Sequence, residues 1–287
     1  MQEWKDKLKN YLINNNMNKF YDLIVSHAPQ KLYKFFNMSN NSLKNLTTST
    51  LYLSEPSNFN DPYDSKPLFD PDKLLELLTS NQNLRTYLVN KYGKINFLDK
   101  KSLGSNKKLI HGIQLELSKY LNDFCITCFT ENDFTNILMW SHYAESHKGF
   151  CLEYNTSESF LGKYKAFFYP VIYSDKIFDL SNCINNLYSK IYLPKKKRGD
   201  NTELILSLLY KTDVWKYEKE WRLILLQNNE IYINKPSAIY LGLNTENKYK
   251  SEIMHFAKNK HIPIYQMKQK GNEYKLIPEL VEIKECV

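Results

Sequence analysis

Arginine is almost missing from this chain. Of 39 lysines and arginines, only Arg85, Arg198 and Arg222 are arginine, while asparagine occurs 31 times. Proteins that read phosphates or base edges rely on the planar guanidinium fork. A formal charge of +8 carried almost wholly by lysine therefore describes a solvated surface before it describes a nucleic-acid footprint. Glycine is scarce as well, eight in 287 residues, and no P-loop or G-x-G-x-x-G turn is present. No stretch reaches the roughly 18 consecutive apolar residues of a membrane span. The first residues, MQEWKDKLKN, carry charge where a secretory leader would be apolar. Five cysteines without regular spacing exclude a disulfide framework and fit a reducing compartment. Cys125 and Cys128 form a C-x-x-C, but within the strand-like FCITCF. A redox pair belongs at a helix N-terminus, and no second pair completes a zinc site. The expectation is a cytoplasmic chain with no membrane association and no metal.

What is abundant is aromatic: 22 Tyr and 15 Phe, residues that fill cores and also line ligand grooves. Residues 1–29 carry helical stripes (Trp4, Leu8, Tyr11, Leu12, then Phe20, Leu23, Ile24) broken by Asn14–Asn16 and closed by Pro29, a helical preface. From residue 30 onward one domain is expected. Its strands are LYKFF (32–36), TLYLS (50–54), Cys125–Thr130, Phe150–Tyr154, Ala166–Tyr173, Tyr217–Gln227, Glu230–Ile233, Ala238–Leu243, Ile262–Met267 and Tyr274–Ile277. The spacing predicts helices after an Ser42 N-cap, over Ile137–Ser146, Glu203–Val214 and Lys248–Asn259, and an inserted helical hairpin within about 72–122. Tyr217–Gln227 is expected to pair with Glu230–Ile233 as a hairpin across Asn228-Asn229. Strands and helices mix without βαβ alternation, so the fold class is α+β: mixed, mainly antiparallel sheets forming a cleft.

Three segments are candidates for chemistry. In the 217–227 strand, alternate residues share a face, which groups Glu218, Glu220 and Arg222 against the apolar Trp221, Leu223 and Leu225. Such a face is either a site or the solvated rim of an edge strand. In the loop FNDPYD, Asn60, Asp61 and Asp64 lie close together, as a tight Asx turn or as ligand contacts. The segment Phe129–Tyr154 concentrates Trp140, His142, Tyr143 and His147. His142 and His147 are five apart and share no helix face, so they do not make a metal pair. Ser141 beside His142 lacks the flanking glycines of a nucleophile elbow. That segment reads as the wall of a pocket rather than as its reactive group. The Lys195–Gly199 run reads as a solvated turn.

LYKFF, TLYLSEPSNFNDPYD, CFTENDFTNILMWSHYAESHKGFCLEY, VIYSD and WKYEKEWRLI together resemble an uncharacterised bacterial family, the domain of unknown function numbered twenty-nine seventy-one. Its marks are F-N-D-P, M-W-S-H-Y-A and K-E-W-R. The order of segments also resembles a divergent ADP-ribosyltransferase fold. Such enzymes split NAD in a cleft between two small sheets, with a basic residue on the first strand, Ser or Tyr on a second and a catalytic Glu late in the chain. EKEWRLIL, TLYLS and FTENDFTNILMW carry that likeness. Lys34 stands where the family has Arg or His.

The resemblance implies Glu220 as the catalytic carboxylate, stabilising positive charge on the ribose, with Glu218 beside it. It implies Lys34 or Arg222 on the pyrophosphate and Trp140 or Tyr143 stacked on a ring of NAD. Ser54, Asn60, Asp61 and His142 would be further contacts. NAD would be a substrate, and the acceptor a protein, a nucleic acid or a small molecule, as in a toxin or phage-defence effector. Two other readings remain open. One is a non-catalytic ligand-sensing or interaction domain with an aromatic pocket. The other is a metal-dependent nuclease using Asp61, Asp64 and Glu220.

Overall fold

A computed structural model describes residues 3–93, 107–156, 167–184 and 202–281. The helical preface is two helices of equal length, α1 (Glu3–Ile13) and α2 (Met17–His27). Each buries one stripe, Leu8 and Leu12 in the first and Phe20 and Ile24 in the second. Asn16 is the break between them, because its side chain caps α2 by accepting from Lys19 N. Strand β1 (Lys31–Phe36) follows, then α3 (Asn40–Thr48) and β2 (Thr50–Tyr52). The N-cap of α3 is Ser39, not Ser42: Ser39 Oγ accepts from Ser42 N, which puts Ser42 in the first turn.

The expected insertion is helical, but its first helix is two. Helix α4 (Pro71–Ser80) ends at Asn81, whose side chain accepts from Leu84 N and so starts α5 (Gln82–Tyr92). Helix α6 (Lys107–Leu121) buries Leu109, Ile113, Leu117 and Leu121 at four-residue steps. Strand β3 (Phe124–Thr130), α7 (Ile137–Tyr143) and β4 (Phe150–Asn155) come next. Helix α7 stops at Tyr143 rather than running to residue 146, because Glu145, Ser146 and His147 all adopt positive φ. The run predicted as one strand to Tyr173 is β5 (Phe168–Pro170) and β6 (Ile172–Tyr173), which join different sheets.

Helix α8 (Thr202–Ser207) is shorter than the spacing predicts. The chain then forms β7 (Tyr210–Lys211), parallel to β6, and a 3-10 turn, Asp213–Glu218. After β8 (Glu220–Leu226) come β9 (Glu230–Tyr232), β10 (Ala238–Leu241), α9 (Asn247–Lys260), β11 (Ile264–Gln269) and β12 (Leu276–Leu280). The Lys195–Gly199 run lies outside the described residues.

The fold is α+β. Its main sheet has eight strands in the order β12-β11-β10-β4-β1-β3-β8-β5, antiparallel except for the β10–β11 pair. The predicted β8–β9 hairpin does not form. Both edges of β8 are taken, by β3 and β5, and β9 pairs with β2 instead. The sheet is also weak at one seam. Strand β1 pairs with β4 along six positions and β3 with β8 along seven, yet β1 and β3 meet only at Tyr33↔Thr130. The sheet is thus two halves, β12-β11-β10-β4-β1 and β3-β8-β5, that diverge after one point of contact.

A charged pocket at the seam of the sheet

A cavity of about 370 Å³ opens where the halves diverge, within the size range of small-molecule sites. Lys34 and Phe35 line it from β1, and Ile126–Thr130 from β3. Ser54, Asn58, Phe59, Asn60 and Asp64 close it from the segment after β2, which is fastened to β3 by the Ser54↔Ile126 bridge. Met139, His142 and Tyr143 contribute from α7, and Lys211, Glu218 and Glu220 complete the wall. Its mouth passes the exposed Tyr52 and His142. Lys34 Nζ reaches across the seam to the carbonyl of Cys128, 3.0 Å away, and lies near the rings of Phe36 and Phe129. Burial lowers its pKa.

The polar end of the pocket is a buried ion cluster. Arg222, 0% exposed, donates Nε to Glu220 Oε1 at 2.8 Å and grips Asp64 with both terminal nitrogens, at 2.9 and 2.6 Å. Lys211 Nζ donates to Glu218 at 2.5 Å and to Glu220 at 2.9 Å. Tyr143 donates its hydroxyl to Glu218 from the α7 side. Burial would raise the Glu220 carboxyl, but the Arg222 and Lys211 cations outweigh it and hold the group well below the usual range. Glu218 goes the other way. Burial pushes it up, Lys211 opposes, and the charge on Glu220 adds to the rise. Two carboxylates at one site are thereby given different protonation tendencies. The thiol of Cys128, a half-buried residue beside the same cluster, is pushed well above its ordinary value by desolvation and then by Glu220.

The two-residue alternation behind the Glu218/Glu220 expectation is not what unites them. Glu218 ends the 3-10 turn, and Lys219 at φ 47° swings the chain before β8 begins at Glu220. The two carboxylates meet because both are bound to Lys211. Nor is β8 an edge strand with solvated charges: it lies inside the sheet, and Glu218, Glu220 and Arg222 are all buried.

Lys34, Ser54, Asn60, His142, Tyr143, Glu218 and Glu220 are thus gathered in one pocket. Three predicted contacts stand apart from it. Trp140 is 0% exposed, donates Nε1 to the carbonyl of Phe134 and packs edge-on to Phe35, so it supports α7 and has no free face for a ligand ring. Arg222 lies behind the wall, its donors directed to Glu220, Asp64, Ser65 and the Leu208 carbonyl, and so has no role on a pyrophosphate. Asp61 is buried outside the lining; Oδ1 accepts from Tyr63 N, an Asx turn, while Oδ2 has no partner. The nuclease alternative fails on the same geometry. Asp64 and Glu220 are both bound to Arg222, Asp61 is elsewhere, and among the described residues no three His, Cys, Asp or Glu side chains gather around a metal position.

Lys211 is the charged side chain of this pocket that the sequence reading passes over, because it falls within the helix expected over 203–214. No local signal marks it, because its place in the pocket depends on the pairing of β7 with β6. Among the described residues, no helix is long and apolar enough to cross a membrane.

Residues 139–223 match the model of the family described as Protein of unknown function (DUF2971), and this segment carries that family's sequence signature, as the motifs led one to expect. It includes M-W-S-H-Y-A and K-E-W-R; F-N-D-P precedes it. No curated protein and no solved structure matches the chain.

Proposed function

We propose that the pocket takes an NAD-type dinucleotide and that the chain cleaves its nicotinamide–ribose bond, in the manner of an ADP-ribosyltransferase. The observation that carries this reading is the position of an ionised Glu220 in a pocket that opens at a divided sheet. When the glycosidic bond breaks, its electron pair leaves with the nicotinamide nitrogen, and positive charge develops on the ribosyl carbon. A carboxylate already oriented by Arg222 and Lys211 stabilises that charge without reorganising. Glu218, whose proton affinity is raised, then accepts the proton of the hydroxyl, amine or water that attacks the ribosyl carbon. Lys34, the cation of the pocket without a carboxylate partner among the described residues, is available to the dinucleotide's negative charge. A cytoplasmic toxin or defence effector is the biological setting consistent with such chemistry.

The test is release of free nicotinamide from NAD by the purified protein, alone and with cell extract. Glu220→Gln should lower the rate by about 10²–10³ while NAD binding, followed by calorimetry, persists. No binding and no turnover with any extract would remove the reading. A second reading has its own support. Both oxygens of Glu220 are already engaged, which suits a pocket that binds a small molecule without changing it. Binding of NAD with no nicotinamide released under any condition would favour that sensor.

A further inference from the structure

The preface helix α1 does not merely cover the domain. Trp4 stacks on Trp221, with ring centroids 6.2 Å apart, and Trp221 is the residue after Glu220. Lys5 Nζ donates to the carbonyl of Val171 at 2.6 Å and lies 5.5 Å from the ring of Tyr173. Those two residues hold Glu220 by its main chain. Val171 N donates to the Glu220 carbonyl at 2.9 Å, and Glu220 N donates to the Tyr173 hydroxyl at 2.9 Å. Lys9 donates to the hydroxyl of Tyr210, the neighbour of Lys211. Both peptide groups that orient Glu220 therefore end in a segment that α1 pins.

We propose that α1 is a working part of the pocket, with Lys5 and Trp4 as positioning residues that fix the Glu220 carboxylate through its backbone. The assignment rests on the reading of Glu220 as the acting carboxylate. An ordinary covering helix would need only its apolar stripe, Leu8 and Leu12. Here a lysine is brought in as well, although burial disfavours its charge and Glu131 only partly offsets this. Its ammonium satisfies a carbonyl at the point where β5 hands over to β6. Without it, Val171 has the freedom to shift, and Glu220 shifts with it relative to Lys211 and the pocket. Catalytic groups tolerate little of this, since a displacement of about 1 Å costs on the order of 10²-fold.

The experiment compares Lys5→Met, Lys5→Arg and Trp4→Leu in the full chain. Amide hydrogen exchange is read at Glu220 and Val171, with Leu152 in β4 as the reference for global stability. Lys5→Met should accelerate exchange at Glu220 about tenfold more than at Leu152. Lys5→Arg, which keeps a donor, should restore the wild-type ratio. Trp4→Leu should move exchange the same way by a smaller factor, and it carries the test if Lys5→Met does not fold. In the nicotinamide assay, Lys5→Met should lower kcat about tenfold with KM unchanged, and Lys5→Arg should recover it. Equal acceleration at Glu220 and Leu152, no acceleration, or an arginine variant behaving like methionine overturns the proposal. A wild-type protein inert toward NAD removes the catalytic reading instead, and the exchange ratio still decides whether α1 holds Glu220.

Discussion

Replacing Arg222 tests the ion cluster most directly. Its guanidinium is fully buried between Asp64 and Glu220 and also donates to the Leu208 carbonyl. Arg222→Met keeps most of the volume but removes the donor shared by two carboxylates and a carbonyl, leaving Glu220 to Lys211 and Asp64 to Ser65 and the more distant Lys211. Breaking a buried pair by removing one partner costs about 3–5 kcal/mol, against a net stability of about 5–15 kcal/mol for a typical fold. At roughly 2–4 °C per kcal/mol in larger domains, the midpoint of thermal unfolding should fall by about 6–20 °C. Urea unfolding at pH 7 gives the same quantity independently. Lysine in place of arginine should recover only part of it, because one ammonium cannot hold both carboxylates in the planar fork. The double variant Asp64→Asn with Arg222→Met should be less destabilised than the sum of the singles by about 1 kcal/mol or more. A loss below about 1 kcal/mol for Arg222→Met would mean that the cluster is solvated after all, and the account of the pocket floor would fall with it.

Acid should release part of the same network. Glu220 has a folded pKa below its ordinary 4.5, so its contribution is complete above pH 4.5 and is lost as pH falls toward the folded value. Glu218, with a raised pKa, contributes in the opposite sense, most below 4.5 and less as pH rises through its folded value. Urea midpoints across pH 3–7 should therefore fall on the acid side in the wild type, and the fall should be shallower in Glu220→Gln; identical acid limbs would refute the assignment of the depressed carboxyl. Gly149→Ala should unfold at lower urea than the wild type by about 2 kcal/mol or more. A Cβ at Gly149 would stand 1.9 Å from the Phe36 carbonyl oxygen and 3.1 Å from Ala144 Cα, both main chain with little freedom to give. Unchanged stability would show that β1 and the turn before β4 are not in that contact.

The elements that were legible in the sequence are those whose side chains decide their own conformation. The stripes Leu8–Leu12, Leu109–Leu121 and Leu74–Leu78 gave helices, and the expected break at Asn14–Asn16 is a cap, Asn16 accepting from Lys19 N; the break at Asn81 inside the run expected as one helix was not read. What else was not legible depended on partners far along the chain. The β9 strand follows β8 closely enough for a hairpin, but β5 takes the edge that it would need. The apolar residues after Leu204 suit a helix; the pairing of Tyr210 and Lys211 with Ile172 and Tyr173 ends it. The site divides in the same way. Glu218 and Glu220 were singled out by strand alternation, Tyr143 by its place in an aromatic-rich segment, and Lys34 by the family resemblance. Lys211 was not, because its role depends on a strand that only tertiary pairing creates.

This dependence explains why three short motifs far apart in sequence belong together. F-N-D-P-Y-D supplies Asp64, M-W-S-H-Y-A supplies Tyr143, and K-E-W-R supplies Glu220 and Arg222. Each motif alone has an unremarkable reading, as an Asx turn, a helix and a strand. Joined, they form a chain of contacts from the loop at Asp64, through Arg222 and Glu220 to Lys211, and through Glu218 to Tyr143 on α7. The half-sheet β3-β8-β5 has only one backbone pairing to β1, so these side-chain contacts bind the loop, the helix and β8 around the seam. A change at any of Asp64, Tyr143 or Arg222 therefore acts on the pocket as a whole. The chemistry proposed for Glu220 is inseparable from the stability of the clasp that holds it.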